Sequence, residues 1–235
     1  MALLEVADLH AHYGQAQVLD GVAFAVEAGS VVALMGRNGA GKSTTIKAIM
    51  GLVPPTSGRV AFAGDEIAGR PPHEIARLGL GYVPEDRRIF TELTVMENLE
   101  VGRRAARAGV PTWTPDKLFA LFPNLAEMRN RPGGRMSGGE QQMLTIARTL
   151  MGNPALVLLD EPSEGLAPVI VEQMANAILS LKREGLTVLL CEQNLHFATL
   201  VSDRAVIIEK GAIRYAGTMA ELKADEAVRT QYLSV

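Results

Sequence analysis

A glycine-rich segment between an apolar run and a predicted helix constrains the fold of this chain more than any other feature. The apolar run covers residues 31–35, the segment follows it directly, and the helix is predicted over residues 42–50. The residues of the segment are Gly36, Arg37, Asn38, Gly39, Ala40, Gly41, Lys42 and Ser43. They match the spacing G-x4-G-K-[ST] in the strand–loop–helix context that a phosphate-binding loop requires.

The chemistry of this loop favours a nucleoside triphosphate. Glycines let successive backbone N–H groups turn towards one anion, and the helix that follows adds the positive end of its dipole. Lys42 is predicted to bring its charge to the β- and γ-phosphates, and the Ser43 hydroxyl to ligate Mg²⁺. We expect Thr44 to contact the nucleotide as well. The alternative, a glycine-rich turn with a chance lysine, does not account for the whole pattern in its context.

An acidic pair follows a second apolar run, at residues 155–159. Asp160 and Glu161 would then lie at the carboxyl edge of a parallel sheet, where α/β proteins bind their ligands. Asp160 is predicted to belong to the Mg²⁺ shell, directly or through water, and Glu161 to polarise the attacking water as general base. A strand that ends in solvated acids is the alternative, and the phosphate-binding loop upstream favours the functional interpretation.

Short apolar runs alternate with longer helical stretches along the chain, which predicts an α/β fold. Runs rich in Val, Leu and Ile without alternation indicate strands that are buried on both faces. The predicted strands cover residues 3–6, 21–26, 31–35, 60–62, 80–83, 156–159, 187–191 and 205–209. The predicted helices cover residues 42–50, 140–151 and 169–183.

The region from about residue 94 onwards differs from the rest of the chain in its composition and its pattern. Residues 94–135 are rich in Arg and Ala, follow a helical pattern and are interrupted by four prolines, at positions 111, 115, 123 and 132. We interpret residues 94–150 as a helical subdomain inserted in the α/β core. With 235 residues and no second copy of the core, the whole chain, 1–235, is predicted to form one domain.

Composition excludes several classes of protein. A net charge of −3 argues against a broadly basic nucleic-acid surface. One cysteine, Cys191, cannot form an internal disulfide and fits a reducing compartment. The first residues lack the pattern of a signal peptide, and the longest apolar runs are far shorter than the roughly 20 residues that span a bilayer. Any membrane function therefore requires a partner.

A third segment lies at the start of the helix that is predicted from residue 140. Its residues are Met136, Ser137, Gly138, Gly139 and Glu140, followed by Gln141 and Gln142. It resembles the signature motif of the ATP-binding cassette (ABC) ATPases, which usually reads Leu-Ser-Gly-Gly-Gln. Small residues with bare N–H groups at a helix N-terminus form an anion site, and the resemblance implies that this one contacts the γ-phosphate held by a second cassette. A plain N-capped helix would explain Ser137 but not the double glycine.

The resemblance to the ABC ATPases covers nearly the whole chain. Three residues depart from the usual family pattern, and these departures indicate a particular subfamily. Tyr13 precedes a predicted strand where the family places an aromatic residue that stacks on adenine; simple packing is the alternative. Glu85 stands where the Q-loop usually carries Gln, Gln193 replaces the switch histidine, and Ala167 replaces the D-loop aspartate. These choices resemble the smaller ATP-binding subunit of branched-chain (hydrophobic) amino acid importers.

Two of these departures change the chemistry that the resemblance implies. Glu85 keeps an oxygen that can face Mg²⁺ or water, but adds charge beside a phosphate that is already negative. Gln193 can donate one hydrogen bond to the γ-phosphate, yet it cannot carry a proton near neutral pH as histidine would. We therefore assign both residues to the catalytic set, together with Glu161.

The resemblance also implies an architecture and a set of partners. The fold is expected to be a P-loop NTPase with an ABC-type core sheet, an N-terminal antiparallel β subdomain and the inserted helical subdomain. ATP and Mg²⁺ are the expected cofactors. The expected partners are a second ABC ATPase subunit, in a heterodimer or, in isolation, a homodimer, two transmembrane permease subunits and, indirectly, a periplasmic or extracellular substrate-binding protein. The chain is expected on the cytoplasmic side of a bacterial or archaeal plasma membrane.

Other functions remain open from the sequence alone. Related importers are expected to carry urea, amides or aromatic acids. A cassette that serves DNA repair or translation usually has two cassettes in one chain or a long coiled coil, and this sequence has neither. A small-molecule P-loop kinase would have no use for the segment at Ser137.

Overall fold

Within residues 2–233, which the computed structural model describes, ten strands form two sheets. The strands are β1 (Ala2–Tyr13), β2 (Ala16–Glu27), β3 (Val31–Met35), β4 (Ser57–Phe62), β5 (Asp65–Glu66), β6 (Leu80–Val83), β7 (Leu156–Asp160), β8 (Thr187–Glu192), β9 (Arg204–Glu209) and β10 (Ala212–Thr218). The helices are α1 (Lys42–Ile49), α2 (Pro72–Leu78), α3 (Val95–Gly102), α4 (Pro115–Leu121), α5 (Pro123–Glu127), α6 (Gly138–Leu150), α7 (Pro168–Arg183), α8 (Leu195–Val201), α9 (Met219–Ala224) and α10 (Glu226–Leu233).

The two sheets differ in strand direction. The smaller sheet has the order β2-β1-β4-β5 and is antiparallel throughout. The larger has the order β10-β9-β3-β8-β7-β6. Its strands from β9 to β6 run parallel, and β10 adds an antiparallel edge. This arrangement confirms the predicted P-loop α/β core with an antiparallel β region at the N-terminus.

The strand β7 shows why its sequence carries no alternation of apolar and polar residues. Leu156 and Leu158 pack into a cluster shared with the antiparallel sheet and α1. Val157 and Leu159 point the other way, into a cluster formed with α6 and α7. Successive side chains of a strand face opposite sides of the sheet, so a strand covered on both sides needs apolar residues at every position.

The helices α3 to α6 lie between β6 and β7 in chain order. Pro115 and Pro123 each stand at the start of a helix, where proline is tolerated because the first N–H groups have no partner within the helix. Side chains of α4 and α5, such as Leu118 and Leu125, share one apolar cluster with the parallel sheet. The inserted segment therefore packs against the core rather than standing apart from it.

The prediction of a helical pattern throughout this segment was wrong between α3 and α4, where residues 103–114 form no helix. Arg107 holds this stretch in place: its guanidinium donates to the carbonyl oxygens of Arg77 (2.8 Å) and Asn153 (3.1 Å). Asn153 is buried and donates from Nδ2 to the carbonyl oxygen of Arg104, 2.9 Å away. Tertiary hydrogen bonds thus replace those that a helix would have made.

Most predicted strands and helices lie within one or two residues of the observed ones, and the larger errors in their bounds fall in the antiparallel sheet. The strands β1 and β2 extend far beyond the predicted 3–6 and 21–26, to form a long hairpin. The strands β5 and β10 and the helices α2, α8, α9 and α10 were not predicted. Along residues 2–233 no helix combines the length and the apolar character needed to cross a bilayer.

Candidate nucleotide-binding site

The carboxyl ends of neighbouring parallel strands bring the predicted site residues to one edge of the larger sheet. Met35, the last residue of β3, pairs with Glu192, the last residue of β8. Asp160, the last residue of β7, pairs with Cys191 of β8. The strand β6, which leads to Glu85, runs parallel beside β7. Four segments that are distant in sequence therefore leave the sheet side by side.

The glycine-rich loop wraps around the side chain of Lys42. The ammonium group is buried and donates to the carbonyl oxygens of Gly36 (2.9 Å) and Arg37 (3.2 Å). Gly41, which precedes α1, has a φ of 115°, a conformation that glycine adopts without steric cost. Because α1 begins at Lys42, its free N–H groups open towards the same loop.

Two hydroxyl groups donate hydrogen bonds to the carboxylate of Asp160. Ser43 Oγ donates to Asp160 Oδ1 at 2.9 Å, and the Tyr82 hydroxyl donates to Oδ2 at 3.2 Å. Asp160 is 1% exposed. Burial raises the pKa of this carboxyl group, while the two hydroxyls and the positive charge of Lys47 oppose the rise.

Glu161 lies against the lysine of the loop. Its Oε1 is 3.0 Å from Lys42 Nζ, and its Oε2 is buried with no hydrogen-bond partner among the described residues. The residue has a φ of 46°, an uncommon value for a residue with a side chain. Glu164 lies next to it: the hydrogen bond that a protonated Glu164 donates to Glu161 raises the pKa of Glu164, and burial and the negative charge of Glu161 add to the rise. One oxygen of Glu161 is thus free to accept a proton from a molecule in the site.

A cavity of about 320 Å³ lies between the glycine-rich loop, Glu85 and Glu161. It is lined by Val18, Asn38, Gly39, Gly41, Lys42, Ser43, Thr44, Glu85, Glu161 and Glu164. Val18 and Glu164 had no signal in the sequence that marked them. Gly36, Ala40 and Asp160 do not line it, and Asp160 is connected to the cavity wall through its hydrogen bond with Ser43.

Besides Gly36, Ala40 and Asp160, three residues predicted for nucleotide binding or catalysis do not line this cavity within residues 2–233: Tyr13, Arg37 and Gln193. Tyr13 is 51% exposed at the end of β1. Arg37 and Gln193 are exposed as well. Their assignment to the site remains a prediction.

A buried carboxylate links the loops that follow β7 and β8. Glu192 accepts hydrogen bonds from Ser163 Oγ (2.8 Å) and from the backbone N–H groups of Gln193 and Asn194 (both 3.0 Å). Burial raises the pKa of Glu192, and the three hydrogen bonds oppose the rise. Glu192 ends an apolar strand, as Asp160 does, but the sequence analysis assigned no role to Glu192.

Comparisons with known proteins identify the family of this chain. Residues 19–164 match the family described as ABC transporter. The high-affinity branched-chain amino acid transport ATP-binding protein BraG of Pseudomonas aeruginosa is 43% identical, over 98% of this chain and 99% of that protein. The chain belongs to the ABC transporter ATP-binding family.

A second curated relative and a solved structure are also similar to this cassette along nearly its whole length. The lipopolysaccharide export system ATP-binding protein LptB of Haemophilus influenzae is 35% identical, over 99% of the cassette and 98% of the relative. A solved structure of the ADP conformation of an ATP-binding cassette superposes with a TM-score of 0.82 at 30% identity and covers 97% of each chain. The cassette is therefore an ATP-binding protein and an ATPase coupled to transport.

The segment at Ser137 caps α6 within the cassette itself. Ser137 Oγ accepts from the Glu140 backbone N–H at 3.4 Å, and Glu140 Oε2 accepts from the Ser137 N–H at 2.7 Å. This reciprocal pair is a capping box, so the Glu140 carboxylate already has a structural role. A Cβ on Gly139 would lie 2.9 Å from Ile170 Cγ2, which explains the second glycine by packing against α7.

None of these signature residues lines the described phosphate cavity. The backbone of Ser137, Gly138 and Gly139 therefore lies outside the cavity that the glycine-rich loop of the same chain lines. Its predicted contact with the nucleotide of a second cassette remains a prediction.

The donor set around Ser43 fits Mg²⁺. Ser43 Oγ directs its hydrogen to Asp160 and therefore keeps lone pairs for a cation. Glu85 supplies another hard oxygen at the cavity wall. Within residues 2–233 no group of three acidic, His or Cys side chains could hold a metal alone. Mg²⁺ binds through one or two protein oxygens, phosphate oxygens and water, and Ser43 and Glu85 can supply the protein oxygens.

We predict that Gly36→Ala destabilises the cassette and abolishes nucleotide binding. An added Cβ would lie 2.3 Å from the carbonyl oxygen of Ile208, in the neighbouring strand β9. Backbone would have to move, at a cost of about 1–3 kcal/mol or more. Chemical denaturation without nucleotide, and titration with a fluorescent ATP analogue, would measure both effects.

Gly39→Ala is the matched control in the same loop. A Cβ there meets no atom within 4 Å, and only the φ of 77° is unfavourable, which costs about 1–2 kcal/mol. Equal losses of stability in the two variants would contradict the role of the contact between Gly36 and β9.

Proposed function

We propose that this cassette is the ATP-hydrolysing subunit that powers import of branched-chain or other hydrophobic amino acids through separate permease subunits. The observation that carries the proposal is the 43% identity to BraG over nearly the full length of both chains. The residues Glu85, Gln193 and Ala167, which depart from the general family pattern, support the same assignment. The whole chain, 1–235, acts as one ATPase domain in this proposal.

The catalytic roles follow from the geometry of the cavity. Lys42 and the N–H groups at the start of α1 bind the phosphates. Glu161 Oε2, which has no partner among the described residues, accepts the proton of the attacking water. Mg²⁺, when bound through Ser43, Asp160 and Glu85, would neutralise part of the charge on the phosphate oxygens.

A second cassette completes the site in this proposal. The helix N-terminus at Ser137, with Gly138, Gly139 and Glu140, would cap the γ-phosphate bound by the partner. Tyr13 would stack on adenine, and the amide of Gln193 would donate a hydrogen bond to the γ-phosphate. The partner is a different ATPase subunit in the working transporter, and a second copy of this chain in isolation.

The remaining partners place the cassette at a membrane. Two permease subunits span the bilayer, and a periplasmic or extracellular binding protein delivers the solute. The cassette then lies on the cytoplasmic face. The net charge of −3 and the acidic residues around the cavity argue against a nucleic acid as partner.

The first experiment isolates the assembly from native membranes. The tagged chain carries Glu161→Gln, which slows hydrolysis, and Mg·ATP is present throughout; a Lys42→Met variant, which has lost the phosphate-binding ammonium, is the control. Recovery of a second cassette and two permeases with Glu161→Gln supports the transporter. Recovery of soluble partners only, such as ribosomes or DNA-repair proteins, would contradict it.

The second candidate function is lipopolysaccharide export, which the 35% identity to LptB favours. Uptake into proteoliposomes distinguishes the two functions. We expect the recovered complex, with its binding protein, to take up radiolabelled leucine, isoleucine or valine in an ATP-dependent manner. Uptake of urea, an amide or an aromatic acid instead would change the solute and keep the importer. Movement of lipopolysaccharide without solute uptake would assign export.

A further inference from the structure

Tyr82 connects the core of the cassette to the carboxylate of Asp160. It lies in β6, two residues before the loop that carries Glu85, and is partly buried against the core between the two sheets. Its hydroxyl donates to Asp160 Oδ2 at 3.2 Å. Burial raises the pKa of Tyr82 well above its usual range, and the neighbouring Asp160 adds to the rise.

The two oxygens of Asp160 have separate partners. Oδ1 accepts from Ser43 and Oδ2 accepts from Tyr82. A carboxylate held by two donors on its two oxygens cannot rotate without breaking one of these hydrogen bonds. Because Asp160 is almost fully buried, water cannot easily replace a lost donor. Tyr82 and Ser43 together fix the plane of the carboxylate.

Tyr82 does not itself face the phosphate cavity. Within the described residues its side chain lines a different and larger cavity, of about 830 Å³, together with residues such as Phe90, Arg88 and Arg148. The residues that line the phosphate cavity do not include it. Any effect of its hydroxyl on a bound nucleotide must therefore pass through Asp160.

We propose that Tyr82 is a positioning residue, whose hydroxyl orients Asp160 so that the Ser43 oxygen presents its lone pairs to the Mg²⁺ that accompanies ATP. The inference rests on the proposed function, since it assigns a cation to Ser43 and Asp160. Groups that hydrogen-bond to metal ligands commonly change metal affinity by about 10–100-fold when they are removed. Tyr82 is one such group here.

The test compares nucleotide affinity with and without the cation. A fluorescent, non-hydrolysable ATP analogue is titrated into wild-type protein and into Tyr82→Phe, in excess Mg²⁺ and in EDTA. The phenylalanine keeps the ring and removes only the hydroxyl. We expect the gain in affinity due to Mg²⁺ to fall about tenfold, and the affinity in EDTA to change by less than about twofold. Tyr215→Phe, a tyrosine in β10, is the control and should leave both values unchanged.

Other results would contradict either this inference or the proposed function on which it rests. An equal gain from Mg²⁺ in wild type and Tyr82→Phe would overturn the inference. So would an equal loss of affinity in Mg²⁺ and in EDTA, which is what a general distortion of the fold would produce; the free energy of unfolding, measured without nucleotide, would show that distortion independently. Wild-type protein that gains nothing from Mg²⁺ would instead contradict the proposed function.

Discussion

Replacing Glu161 with glutamine is expected to lower the rate of ATP hydrolysis by about 10²–10⁴-fold, the usual contribution of a general base. Glutamine has the same shape as glutamate, so an oxygen still faces Lys42, which lies 3.0 Å from Oε1. What is lost is the ability of Oε2 to accept a proton. ATP affinity should therefore change little while turnover falls. Steady-state release of phosphate and an equilibrium binding titration separate the two quantities.

Glu164→Gln is the matched control for this prediction. Glu164 lines the same cavity, is exposed, and sits close enough to Glu161 for that carboxylate to raise its pKa. It has no contact with Lys42 among the ion pairs of the described residues. We expect Glu164→Gln to keep most of the activity. The reverse result, a large loss with Glu164→Gln and a small one with Glu161→Gln, would assign the base to Glu164.

The parts of the site that the sequence predicts are those within a single segment. Lys42 and Ser43 belong to one strand–loop–helix unit, and its glycines and spacing are sufficient to indicate a phosphate-binding loop. Asp160 and Glu161 follow one buried strand. The order of the strands in the sheet then brings both segments together. The sequence indicates that order only through its resemblance to the ABC ATPases.

The contacts that could not be predicted join residues far apart in the chain. Tyr82 and Asp160 are 78 positions apart, and Ser163 and Glu192 are 29 apart. Nothing in either local sequence marks the partner, because each pair depends on strand order and register. The same limit applies to residues 103–114, where Arg107 bonds to distant carbonyl oxygens. Local helical propensity is a weak guide in such places.

Replacing Lys42 with methionine is expected to lower the free energy of unfolding by about 3–5 kcal/mol, besides removing the charge that holds the phosphates. Lys42 and Glu161 form an ion pair whose side chains are 3% and 6% exposed. Removing one member of such a pair leaves the other charge buried without compensation, and this is the main cost. Methionine keeps most of the apolar stem of lysine, so the loss of packing is small. Chemical denaturation without nucleotide measures the effect.

The double variant Lys42→Met with Glu161→Gln tests the cause of that loss. It removes both charges, so no carboxylate remains buried without a cation. Replacing both members of a buried ion pair commonly costs little, and we expect the double variant to recover most of the stability that Lys42→Met alone loses. A double variant at least as unstable as Lys42→Met would mean that the cost comes instead from the two hydrogen bonds that the ammonium donates to Gly36 and Arg37. In that case the stability of the loop would depend on the lysine as a donor rather than on its ion pair with Glu161.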